Sequence, residues 1–240
     1  MGYYGYGLGF GGYGLYLLFS LPALILGLWA QAKVKGAFRK YSQIRSYAGL
    51  TGAQVARRML DAYGLNQVEI RQAQGFLSDN YDPRSKTLNL SPDVYQSNSL
   101  ASAGVAAHEA GHAVQDAQGY TALKFRAAMV PSVQIGSWLG PIIFIVGLFI
   151  PSTFGTSVAW IGVGLFALTA LFALVTLPVE FDASNRAKAW LSSSGVIYNE
   201  EIKGVNGVLD AAALTYVAAA VQALSTLMYY AFLLMGRNRD

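Results

Sequence analysis

Cysteine is absent from this 240-residue chain. That excludes disulfide bonds, a thiolate nucleophile and every zinc site with a Cys ligand. Histidine is scarce: only His108 and His112 occur. Charged residues make up 12% of the chain, where a soluble domain usually carries about 25%. They are also unevenly spread. No Asp, Glu, Lys, Arg or His lies in 1–32, in 127–179 or in 211–236. A bilayer core of ~30 Å needs about 20 apolar helical residues. Each run meets that length, and the middle one is long enough for two spans. Net charge is +4. Its basic residues cluster after the first apolar run, at Lys33, Lys35, Arg39, Lys40 and Arg45. Membrane topology explains them better than nucleic-acid binding does.

The chain therefore reads as a mainly α membrane protein with about four transmembrane helices and one polar domain. Residues 1–14 form a Gly/Tyr segment, expected to be a tail because so much glycine disfavours regular structure. Residues 15–30 are the first span. No basic region precedes it, so it does not resemble a cleavable signal. The charges that follow place the N-terminus outside and the segment after Gln31 in the cytoplasm. Residues 31–126 form the polar domain. Within it, 51–63 reads as an amphipathic helix capped by Thr51 and ended by Gly64. Short strands are expected at 68–70, 75–77 and 87–90, with turn formers at 79–85. Pro92 suits a helix start. Ser99 caps a long helix that Gly119 stops. Residues 133–150 and 154–177 are two spans joined by a turn. A polar return at 178–207 precedes a last apolar segment, 208–235.

The motif that carries chemistry is His108-Glu109-Ala110-Gly111-His112. On a helix, positions i and i+4 share a face, so both imidazoles can reach one Zn²⁺ while Glu109 acts on its water. Both histidines of the chain fall inside this HExxH pattern, and the flanking alanines and valines suit a helix. A catalytic zinc normally has three protein ligands and an open position. With His and Cys exhausted, the third ligand is Asp or Glu. Asp116 is excluded by reach: it lies about 12 Å from His108 along the helix axis. Glu180 and Asp182 are better placed, because a hairpin of two spans returns the chain to the same membrane face. On a helix they lie about 200° apart, so only one can face the metal. Glu180 is the preferred ligand. Asp182 is the fallback, or an orienter of a His ring N–H. Ser184 shares a face with Glu180, and Arg186 with Asp182.

HEAGHAVQDAQGY, YDPRSKTLNLS, LTGAQVARRML and LPVEFDASNRA together resemble the YugP-like membrane zinc metallopeptidases of bacteria, over about residues 29–186. The resemblance implies a membrane-proximal α+β zincin-like catalytic domain, zinc binding through HExxH and peptide-bond hydrolysis. A wider similarity to HtpX-like and prenyl-protein membrane proteases rests on HExxH followed by a Glu-Phe-x-Ala-Asp type motif. It implies that Glu180 is the third ligand. Ser184 stands where that motif has Asp, so orientation of a His ligand could pass to Asp182.

The expected reaction is hydrolysis of a peptide bond in a protein or peptide substrate. Glu109 takes a proton from water and passes it to the leaving amine. Arg186, Tyr120, Tyr198 and Tyr216 are candidates to stabilise the oxyanion. Strand 87–90 could pair with an extended substrate at its edge. The setting is a bacterial inner membrane, with the site on the cytoplasmic side and the lipid bilayer as partner. Two rivals remain. One is chemistry inside the bilayer, which the polar residues flanking HExxH disfavour. The other is a non-catalytic membrane scaffold or chaperone-like adaptor with a structural or vestigial metal, which the intact Glu109 disfavours.

Overall fold

The computed structural model describes residues 10–75 and 78–237. The helices are α1 (Phe10–Ser42), α2 (Gly52–Ala62), α3 (Pro92–Tyr95), α4 (Leu100–Ala117), α5 (Thr121–Phe149), α6 (Thr153–Ser193) and α7 (Asn199–Arg237). The strands are β1 (Glu69–Gln72), β2 (Asn80–Asp82) and β3 (Thr87–Leu90). Four of the described helices are long and apolar enough to cross a membrane: Gly14–Ser42, Thr121–Phe149, Thr153–Ser193 and Asn199–Gly236. The protein is a mainly α membrane protein with one small sheet. Two compact units are present.

The apolar unit holds the described residues of Met1–Trp29, Phe125–Leu177 and Tyr216–Asp240. Its α5 and α6 segments approach closely along a line of glycines. A Cβ on Gly147 would lie 2.3 Å from the Ala159 amide nitrogen, and one on Gly162 would lie 2.4 Å from that of Phe144. Only hydrogen fits there. Phe144 stacks on Tyr230 with ring centroids 4.1 Å apart.

The polar unit holds Ala30–Lys124 and Pro178–Thr215. Thr51 caps α2 through a reciprocal pair: Gln54 N–H donates to its hydroxyl, and its own N–H donates to the Gln54 side chain. This satisfies two of the amides that a helix start leaves without partners. Val55 and Met59 turn inward and are fully buried. Gly64, at φ +71°, ends the helix region in a conformation that a side chain disfavours. The sheet order is β1-β3-β2, with β1 parallel and β2 antiparallel to β3. β3 thus has partners on both edges, so it is an ordinary central strand and not a free edge for substrate. The first strand starts at Glu69 rather than Val68. The expected strand at 75–77 falls on Phe76 and Leu77, outside the described residues.

Helix boundaries differ from expectation, and α5 starts at Thr121 rather than 133. The first helix starts at Phe10, inside the Gly/Tyr segment, and runs on to Ser42. α6 does not stop at the end of its apolar run but continues through Pro178 to Ser193. α7 starts at Asn199, ahead of the apolar segment it contains.

Candidate metal centre

Helix α4 is capped by Ser99, whose hydroxyl accepts from the Ser102 amide. Gly119, at φ +68°, follows its end. Small apolar residues line it, and nearly every residue from Leu100 to Gln115 is buried. His108, Glu109 and His112 belong to this buried stretch, at 9%, 9% and 8% exposure. Burying so much polarity is costly unless the groups find partners. Glu180 and Ser184 on α6 supply partners, and Gly111 lets that helix close in. A Cβ at Gly111 would sit 2.7 Å from the Ala183 carbonyl oxygen.

This crossing brings His108, His112 and Glu180 together, with one ligand atom from each lying within 4.8 Å of the others. Glu180 Oε2 is 3.2 Å from His108 Nε2 and 3.5 Å from His112 Nε2. A tetrahedral zinc with bonds of about 2.0–2.1 Å needs ligand atoms about 3.3 Å apart. The donor set and the two separations from Glu180 therefore fit the metal, and three protein ligands would leave one position open. Each outer ring nitrogen also has a partner. His108 Nδ1 is 3.1 Å from Ser184 Oγ, and His112 Nδ1 is 2.9 Å from Gln115 Oε1.

Asp182 is turned away from Glu180, as helical geometry requires. It accepts from Gln115 Nε2 at 2.8 Å and from Arg186 Nε at 2.5 Å. Arg186 also donates to Gln118 Oε1 at 2.6 Å. Asp116 accepts from the Tyr81 hydroxyl at 2.7 Å and from Lys86 Nζ at 2.5 Å, so it joins α4 to the sheet. Tyr120 is half-buried just after Gly119. Tyr198 is 53% exposed and meets the Tyr47 ring edge-on. Tyr216 belongs to the apolar unit. Gln115 is the participant that sequence reasoning missed. Its position three residues after His112 was the available signal, since i and i+3 side chains meet on a helix.

Burial raises the Glu109 carboxyl above its ordinary range, and the nearby His108 and His112 only partly offset this. Burial alone would lower His112. Its hydrogen bond to Glu180 and the charges of Glu109 and Glu180 outweigh that and raise it. Unlike the side chains of the three clustered residues, the Glu109 carboxylate makes no hydrogen bond among the described residues.

Residues 16–235 match the model of a family described as "putative neutral zinc metallopeptidase". The chain belongs to this family. It is also 42% identical over 227 residues to the "putative membrane protease YugP" of Bacillus subtilis (strain 168), covering 94% of this chain and 100% of the relative. No solved structure matches it. The family's description and the clustered donors of His108, His112 and Glu180 both suggest zinc.

Proposed function

We propose that the protein is a membrane-anchored zinc-dependent endopeptidase that hydrolyses peptide bonds of protein or peptide substrates. The carrying observation is the convergence of His108 Nε2 and His112 Nε2 on Glu180 Oε2, at separations from that oxygen that suit one tetrahedral ion. Zinc bound there would supply a Lewis acid for the scissile carbonyl and a water of pKa about 7. Glu109 adjoins the first ligand, and its carboxylate makes no hydrogen bond among the described residues. It takes the proton from the attacking water and delivers it to the leaving amine. Ser184 and Gln115 hold the two imidazoles at their outer nitrogens, which limits ring rotation. The basic residues between Lys33 and Arg45 support a site on the cytoplasmic side of a bacterial cell membrane.

The test is the Glu109→Gln protein, assayed on casein with its zinc measured beside it. The variant should keep its metal and lose hydrolysis by about 100-fold or more. Hydrolysis equal to wild type would remove Glu109 from the mechanism, and loss of zinc along with activity would make it a ligand instead.

A further inference from the structure

We infer that Gln115 is a positioning residue of this centre: it fixes which nitrogen of His112 carries the proton and ties that ring to the Asp182–Arg186 ion pair. The inference rests on the zinc-peptidase reading above.

Gln115 is fully buried. The two ends of its amide are told apart by their partners. One end lies 2.8 Å from the Val179 backbone oxygen and 2.8 Å from Asp182 Oδ2. A backbone carbonyl can only accept, so this end is the NH₂ group. The other end, facing His112 Nδ1 at 2.9 Å, is therefore the amide oxygen, which also can only accept. Nδ1 must then carry the proton. In the neutral ring the lone pair is left on Nε2, the atom that faces Glu180. His112 is thus held in the tautomer that can ligate. The Ser184 hydroxyl beside His108 dictates nothing comparable, because a hydroxyl both donates and accepts.

The chain of bonds continues outward. Arg186 donates to Asp182, Gln115 donates to Asp182, and Gln115 accepts from His112. The negative charge sits one residue removed from the ring, with an amide between. A carboxylate at position 115 could accept from His112 equally well. It could not donate to Val179, and it would face Asp182 with like charge.

The experiment uses full-length protein in detergent, with zinc affinity read by chelator competition and the histidines read by ¹⁵N NMR. Only two histidines contribute signals. In metal-free wild type, the His112 ring should show its proton on Nδ1; a proton on Nε2 alone would overturn the inference. Gln115→Leu should weaken zinc by about 10–100-fold. Gln115→Glu should also weaken it, and adding Asp182→Asn should restore affinity to within a few-fold of wild type. A general packing defect would not be rescued this way. Wild-type affinity in both Gln115 variants would sink this inference while leaving the peptidase reading intact. A wild-type protein that binds no zinc would sink both.

Discussion

Ser184 lies 3.1 Å from His108 Nδ1, at the position where the related membrane-protease motif carries Asp. Gln115 fills the matching place beside His112. Both imidazoles therefore have neutral groups at their outer nitrogens, and Glu180 supplies the carboxylate of the described cluster. A neutral partner orients a ring without adding much to its basicity. Ser184→Ala should weaken zinc by about tenfold, the lower end of the usual range, while Ser184→Asp should bind at least as tightly as wild type. Chelator competition distinguishes the two, and weaker binding by the Asp variant than by the Ala variant would contradict this account of His108. The three clustered residues were legible in sequence as candidate ligands because His is confined to one motif and Cys is absent, which leaves a carboxylate by elimination. Gln115 was not, because a glutamine near a helix end ordinarily faces solvent.

At the scale of elements, the site depends on how closely α4 and α6 cross. Gly111 occupies an unspecified position of HExxH, yet its missing side chain is what admits the Ala183 carbonyl. Gly111→Ala must push the α6 backbone outward and carry Glu180 with it. Zinc affinity should fall by at least about tenfold, with stability lowered by about 1–3 kcal/mol as in other overpacked sites. Gly104→Ala, on the same helix, is the control. Its Cβ would meet the Val205 side chain at 3.4 Å, with Leu209 Cγ and the Val205 carbonyl oxygen at an ordinary 3.9 Å, and it should bind zinc like wild type. Equal affinity in both variants would show that the crossing has slack. The caps at Thr51 and Ser99 could be read from sequence because the side chain that makes the bond is visible there. The length of α6 could not. Loss of hydrophobicity after Leu177 marks a change of surroundings, whereas a helix stops where its hydrogen bonding is terminated. Here that happens only near Gly195, at φ +71°. Strand order was equally hidden, since four residues of β3 do not announce how many partners they have.

At the scale of the whole molecule, the four apolar helices and the basic cluster at 33–45 define a topology that can be measured. Native cysteine is absent, so single Cys probes have no background. Probes at Gln67 and Ser193, both exposed in the polar unit, should react only once the inner membrane face is opened. One at Thr153, at the start of α6, should label from outside. Labelling of Gln67 and Ser193 from opposite faces would be incompatible with one polar unit that contains both. The central claim, a zinc centre made by His108, His112 and Glu180, is tested most directly by elemental analysis of the purified full-length protein. The account predicts about one zinc per chain in wild type, as a three-ligand catalytic site holds, and a large loss of zinc in Glu180→Ala. A zinc-free wild type, or full zinc in Glu180→Ala, would contradict it.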